Sequence, residues 1–178
     1  QRLSRGLGDV YKRQVAVAST LSDYVDNQII EVKWPNDVLV NGKKIAGILL
    51  EVADFNGKEP SVIVGVGVNI SKTPEKFEYP VTCINNYKNG YTSVDSVFIS
   101  LLHHFVYWFH IWEDNGFGAI RDEWMRRAFK LGGSVSVENK NGLKAEYKFK
   151  GIDMEGAILL DDENGKRSRI RSGTVRFL

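Results

Sequence analysis

The chain has 178 residues, 43% of them hydrophobic, enough for one compact domain with a core, or one domain and a small appendage. A formal net charge of +2 leaves no basic footprint of the kind nucleic acid selects, and no apolar run is long enough to span a bilayer. The single Cys83 excludes an internal disulfide and suits a reducing compartment. With no signal-peptide pattern at its start, the sequence reads as a soluble cytoplasmic protein.

The first residues read as foreign. Ser4 to Gln14, "SRGLGDVYKRQ", resembles, codon for codon, the translation of a common transposon-based sequencing adapter. Residues 1–14 are therefore expected to be adapter-derived or a disordered arm, and the natural text to begin near Val15, inside a longer gene. "VAVASTLSDYVDN" then reads as the end of an amphipathic helix closed by Asn27. "IIEVKW" alternates and is β-branched, hence a strand, and Pro35 limits its pairing. "DVLV-NG-KKIAGILLEV" predicts a hairpin, because Asn41-Gly42 between apolar runs suits a type I′ turn. "SVIVGVGVNI" is apolar on both parities, which predicts a central strand. Val97, Leu101, Phe105, Trp108 and Trp112 recur at helical spacing, and "FGAIRDEWMRRAF" predicts a second, shorter helix. Leu131-Gly132-Gly133 reads as a linker. Beyond it, turns at Asn141-Gly142, Glu155-Gly156 and Asn164-Gly165 separate short strands, the pattern of a small barrel.

Two stretches carry candidate chemistry. With Asn41-Gly42 as a two-residue loop, Val40 faces Lys43, Leu39 faces Lys44 and Asp37 faces Ala46. Alternation then puts Asp37, Leu39, Lys44 and Ala46 on one face, with Asp37 and Lys44 as diagonal neighbours. Lys43 points the other way. From pairing alone, a plain cross-strand ion pair, worth ~0.2–1 kcal/mol, is favoured over a site. In "VGVGVNI" one parity is valine and the other is Gly65, Gly67 and Asn69. Glycine inside a strand weakens it unless a backbone or a ligand comes close, so this face admits either a packed helix or a ligand. His103, His104 and His110 sit in an aromatic-rich helix and do not read as a metal site. The basic run Lys166, Arg167, Arg169 and Arg171 reads as a solvated strand and turn.

At these residues the sequence resembles the biotin protein ligases. "KWPND", "KIAGILLE" and "GVGVNI" occur in the family's order, and "FKGIDMEGAILLDDENG" and "SGTVRFL" resemble its C-terminal barrel. The resemblance implies an α+β fold: a mixed sheet with helices, related to class II aminoacyl-tRNA synthetases, followed by a small SH3-like β-barrel. It divides the chain into a partial catalytic domain over 15–131 and the barrel over 132–178. It implies ATP-dependent formation of biotinyl-AMP and transfer of biotin to a lysine of a biotin carboxyl carrier domain, as in acetyl-CoA carboxylase. Biotin, ATP and Mg²⁺ are the implied ligands, and a homodimer is compatible with the family. The implied roles give Lys44 the biotin carboxylate and the phosphate oxygen. Asn36 and Asp37 bind at the nucleotide side, with Asp37 near Mg²⁺ and the incoming lysine. Lys33 and Trp34 line the adenylate site. Gly47, Gly65 and Gly67 let the ligand lie against the backbone, Asn69 binds at the nucleotide, and Arg176 reaches the adenine from the barrel. The family's upstream Gly-Arg-Gly-Arg loop and the strands that contact the biotin rings have no counterpart here, so the expectation is an incompetent ligand-binding fragment of an active parent. A lipoate ligase shares the broad fold but not "KWPND". Some relatives add a DNA-binding helix-turn-helix, which this chain does not show; part of a biotin-responsive regulator is the alternative.

Overall fold

The computed structural model describes residues 2–53, 61–75, 78–88, 90–138, 144–171 and 174–178. The predicted Asn141-Gly142 turn and Ser172-Gly173, which opens the last strand motif, lie outside the described residues. Helix α1 (Arg2–Ser22) leads by a 3-10 turn at Asn27–Ile29 into strands β1 (Ile30–Lys33), β2 (Asp37–Val40), β3 (Lys43–Ala53) and β4 (Ser61–Val68). Helix α2 (Val94–Arg126) follows, then β5 (Ser134–Glu138), β6 (Lys144–Ile152), β7 (Ile158–Asp161), β8 (Arg167–Ile170) and β9 (Thr174–Phe177). The first sheet has the order β1-β2-β3-β4 and the second β8-β7-β6-β5-β9. The class is α+β, as the sequence implies. All strand pairs are antiparallel. Among the described residues, parallel pairing is confined to single bridges, Val32 with Ala128 and Lys44 with Val81, so the mixed sheet reduces to that.

Several elements differ from expectation for identifiable reasons. α1 stops at Ser22, short of Asn27, and Asp26 instead caps the 3-10 turn through the Gln28 amide. α2 is two helices joined at Gly116, whose φ of 71° and ψ of −168° break the helix. That break separates the two helices expected from the sequence. β4 lies at the edge of its sheet among the described residues rather than at its centre, and Val62 and Ile63 are exposed. Apolar character on both parities does not mark two covered faces here: Val64, Val66 and Val68 are half-buried, whereas Ile63, Gly65 and Gly67 are exposed.

Residues 2–14 are helical rather than a disordered arm, and Tyr11, Lys12, Arg13 and Gln14 are buried. Tyr11 Oη donates to Gly156 O at 2.6 Å. The Gln14 amide donates to Lys33 O and Asp37 O and accepts from Trp124 Nε1. Three long polar residues buried in succession are rare in a core-facing helix. Val15, Val17, Ala18 and Leu21 behind them give the expected apolar face.

One hydrophobic core joins both sheets and both helices. It contains Val15 and Leu21 of α1, Val32, Val38, Ile45 and Ile48 of the first sheet, Ile120 and Trp124 of α2, and Phe149, Ile158 and Leu160 of the second. Trp124 is fully buried and sits edge-on to Tyr11 at 5.3 Å and to Phe149 at 6.4 Å, so one indole ties the helices to the second sheet. After α2 the chain runs beside β1: Val32 N donates to Arg127 O, and Phe129 N donates to Val32 O. These bonds fix the junction between the sheets. The core lies against one face of the first sheet. Its other face, with Gly47, Leu49, Gly65 and Gly67, is left accessible.

Candidate functional site

The site begins at the turn between β1 and β2. Trp34-Pro35 is a cis peptide bond, and the Gln14 amide holds the carbonyls at both ends of the turn, Lys33 O and Asp37 O, at 3.0 Å. Asp37 thus leaves the turn in a fixed direction. The hairpin closes as predicted, with positive φ at both Asn41 (51°) and Gly42 (70°), the type I′ requirement. Val40 faces Lys43 and Leu39 faces Lys44. The register then slips between Val38 and Leu39, so that Ile45 is an extra residue in β3. Asp37 consequently faces Gly47, not Ala46, and Ala46 and Leu39 are buried. A bulge re-aims the side chains beside it. Here it points Asp37 and Lys44 onto the open face.

Lys44 Nζ lies 2.7 Å from Asp37 Oδ1. It also donates to Tyr79 Oη at 3.3 Å. Burial draws the Lys44 pKa down, but the hydrogen bond and charge of Asp37, with a smaller contribution from Tyr79, outweigh burial and hold it above the ordinary lysine range. The ammonium is therefore charged at neutral pH. Lys43 is exposed. The Lys44 tail crosses above Gly47: a methyl group at Gly47 would stand 3.3 Å from Lys44 Cε and Nζ. Glycine there lets the ammonium lie close to the sheet.

The glycine face continues along the β3–β4 pairing, with Gly47 opposite Gly67 and Leu49 opposite Gly65. A methyl at Gly65 would meet Leu49 Cβ at 3.7 Å, and one at Gly67 only Gly47 O at 4.0 Å. These are ordinary distances. Among the described residues no neighbour requires glycine at either position, and no described helix packs on them. The face forms an open cleft of about 490 Å³ lined by Asn36, Asp37, Lys44, Gly47, Leu49, Gly65 and Gly67 among others. Asn69 lines an adjoining cleft of about 240 Å³, and its Nδ2 donates to Thr82 O at 3.0 Å. A third cleft, about 170 Å³, opens where the two sheets meet and is lined by Lys33, Asp37, Lys44, Tyr79, Phe129, Lys130 and Phe177. The Lys33 ammonium stands 5.7–6.0 Å from the ring centres of Tyr79, Phe129 and Phe177.

Lys33, Asn36, Asp37, Lys44, Gly47, Gly65, Gly67 and Asn69 thus fall on one connected surface. Trp34 and Arg176 do not line these clefts. Trp34 is 5% exposed and donates from Nε1 to Tyr11 Oη, so it supports the turn from beneath. Arg176 is exposed in β9, and the side chain reaching the cleft is its neighbour Phe177. Leu49 and Tyr79 line the site unforeseen. Leu49 was legible as the residue two beyond Gly47 on the same face; Tyr79 lies in a loop without periodicity. A further cavity of about 470 Å³, bordered by Glu146, Lys148, Asp161 and Asp162 on the second sheet, holds none of the predicted residues.

The fold and the site together define an α+β protein with a groove on an open sheet face, at whose mouth a lysine is paired with an aspartate. Residues 4–69 match the Biotin/lipoate A/B protein ligase family. The Biotin--[acetyl-CoA-carboxylase] ligase of Paracoccus denitrificans is 33% identical over 144 residues, 78% of this chain and 59% of the relative. The Bifunctional ligase/repressor BirA of Bacillus subtilis is 31% identical over 139 residues, 76% of this chain and 42% of the relative. The chain thus spans about half the length of these curated relatives. Among solved structures, a biotin protein ligase from Aquifex aeolicus in complex with biotin and ATP superposes with a TM-score of 0.74 at 21% identity, over 95% of this chain and 72% of that one. The chain belongs to the biotin protein ligase family.

Proposed function

We propose that this chain forms one wall of the active site of a biotin protein ligase whose complete polypeptide activates biotin with ATP and transfers it to a lysine of a biotin carboxyl carrier domain. The observation that carries this reading is the Lys44 ammonium, held beside Asp37 and directly over Gly47 at the mouth of the glycine groove. In the first step a biotin carboxylate oxygen attacks the α-phosphorus of ATP. The new C–O–P anhydride forms as the bond to the β-phosphate oxygen breaks, and pyrophosphate leaves. Two anions meet in this step, so a fixed cation aimed at both lowers the barrier. Lys44 takes that role, with Lys33 as a second cation on the nucleotide side. Gly47, Gly65 and Gly67 let the ligand rest on the backbone, and Asn36 and Asn69 offer polar contacts at its ends. In the second step the neutral amine of the acceptor lysine attacks the acyl carbon and AMP leaves. Asp37 accepts the proton or orients the amine.

Magnesium fits this site only as an ion carried largely by phosphate. Among the described residues Asp37 is the one carboxylate lining the first and third clefts, and one of its oxygens already meets Lys44. Magnesium is commonly held by one or two carboxylates together with substrate phosphates. Asp37 would supply the carboxylate, and the ion, when bound, neutralises phosphate charge. We further propose that the setting is cytoplasmic and that residues 4–14 are foreign to the natural gene. Among the described residues, no helix is long and apolar enough to cross a membrane. The reading is tested by measuring biotin-dependent pyrophosphate release in the gene completed upstream of Val15. Absence of release with biotin and ATP supplied would refute it.

A further inference from the structure

The Lys44 ammonium has three N–H donors. One goes to Asp37 Oδ1 at 2.7 Å and one to Tyr79 Oη at 3.3 Å. One remains for the cleft. The reaction proposed above, on which this inference rests, brings two oxyanions to the same ammonium: the biotin carboxylate and an α-phosphate oxygen. The donors fall short by one, so one protein acceptor must give way. The bond to Asp37 is short and charge-assisted, the stronger type. The bond to Tyr79 is long, and its acceptor is neutral.

We propose that Tyr79 is a positioning residue that occupies the place of the second oxyanion: its hydroxyl holds Lys44 in the ligand-free chain and yields to the phosphate when the adenylate forms. The local structure suits such an exchange. The backbone beside Tyr79 is fixed to Lys44 itself, because Lys44 N donates to Pro80 O and Thr82 N donates to Lys44 O, both at 2.9 Å. Tyr79 is 41% exposed, so its hydroxyl lies within reach of solvent and ligand. Its ring lies 5.4 Å from Lys44 Nζ and 5.9 Å from Lys33 Nζ. When the hydroxyl lets go, cation–ring attraction keeps the residue at the site.

Tyr79→Phe removes the competing acceptor and keeps the ring. The polypeptide completed upstream of Val15 and its Tyr79→Phe variant are titrated with biotin and with biotinyl-AMP, following the amide shifts of Gly47 and Gly65 by NMR, with thermal melting to confirm equal folding. Biotin alone needs only the free donor, so its affinity stays within about twofold. Biotinyl-AMP, which brings the phosphate as well, binds about two- to tenfold more tightly to the variant, the range for one neutral hydrogen bond no longer displaced. A Tyr79 that merely supports the loop would leave both affinities equal or weaken both, and either result overturns the proposal. If the unaltered completed polypeptide binds neither compound, the ligase reading itself fails. Binding of both with no difference between chain and variant removes only the role of Tyr79.

Discussion

Lys43 and Lys44 are adjacent, equally basic and opposite in consequence. In the completed gene, Lys44→Ala deletes the ammonium that lies over Gly47 and leaves Asp37 facing two anionic substrates without its counter-ion. Loss of one aimed donor typically lowers turnover by about 10²–10³, or ~2.7–4 kcal/mol, and the exposed Asp37 charge adds repulsion in the same direction. The folding cost is much smaller. The two side chains are 21% and 24% exposed, and pairs accessible to water contribute about 0–1 kcal/mol. For a chain of this size 1 kcal/mol moves the melting point by roughly 2–4 °C. Lys43→Ala removes an exposed side chain on the other side of β3 and changes neither quantity. The assay is biotin-dependent pyrophosphate release for both variants, with melting curves alongside. Equal losses of rate in the two variants would refute the facing argument. A rate loss in Lys44→Ala matched by wholesale unfolding would refute the separation of chemistry from stability.

Gly65→Val should fold normally, because a Cβ there meets only ordinary contacts, yet fill the groove; calorimetric titration should show biotin binding lost at an unchanged melting point. Gly151→Ala should be strongly destabilising: φ is 97° and the new methyl would stand 2.2 Å from Met125 Cε. Strain and overpacking each cost about 1–3 kcal/mol, which denaturant unfolding measures. Glu123 is partly buried, which raises its pKa, but hydrogen bonds from Arg126 and Arg127 outweigh burial and hold it below its ordinary 4.5. Its contribution to stability is complete above that ordinary value and is lost as pH falls through the lower folded value. Glu123→Gln should flatten the acid limb of a stability–pH profile below about 4.5 and leave no new feature near neutrality. The 178-residue chain itself should not biotinylate a carrier domain, because a half-open groove does not exclude water from a reactive acyl-adenylate; an ATP-dependent streptavidin signal from the purified chain would overturn this.

Local chemistry made much of the fold legible. Asn41-Gly42 specified its turn because few residue pairs accept positive φ twice, and the alternation of Ile30 and Val32 specified β1. The long-range arrangement was less accessible. The edge position of β4 depends on which segments reach its outer side, and the valine-rich strand carries no record of that. The end of α1 was misplaced because Asp26 satisfies the Gln28 amide with its own side chain, a capping choice that competes with helix continuation. The buried Lys12, Arg13 and Gln14 contradict any reading by polarity. Two of them are held by residues far along the chain: Lys12 lies over the Phe109 and Trp112 rings, and Gln14 accepts from Trp124.

The site shows the same division more sharply. Residue types and spacing brought Asp37 and Lys44 together on paper, but through a regular ladder that the structure does not contain. In a regular ladder Asp37 would oppose Ala46, whose methyl group would occupy the space the Lys44 tail now crosses. The extra residue at Ile45 shifts the register, puts Gly47 opposite Asp37 and sends Ala46 into the core. The reason for glycine at 47 is thereby local and specific: a β-carbon there would press on the ammonium at 3.3 Å. The same argument separates Gly47 from Gly65 and Gly67, where the protein itself leaves room for a side chain. A β-carbon at 47 would crowd the end of the protein's own lysine, whereas at 65 and 67 no described residue stands closer than an ordinary contact. Substituting each glycine by alanine tests this distinction. Gly47→Ala should disturb the Lys44–Asp37 contact even without ligand, visible in the Lys44 side-chain NMR signals. Gly67→Ala should leave the free chain unchanged and act only on binding.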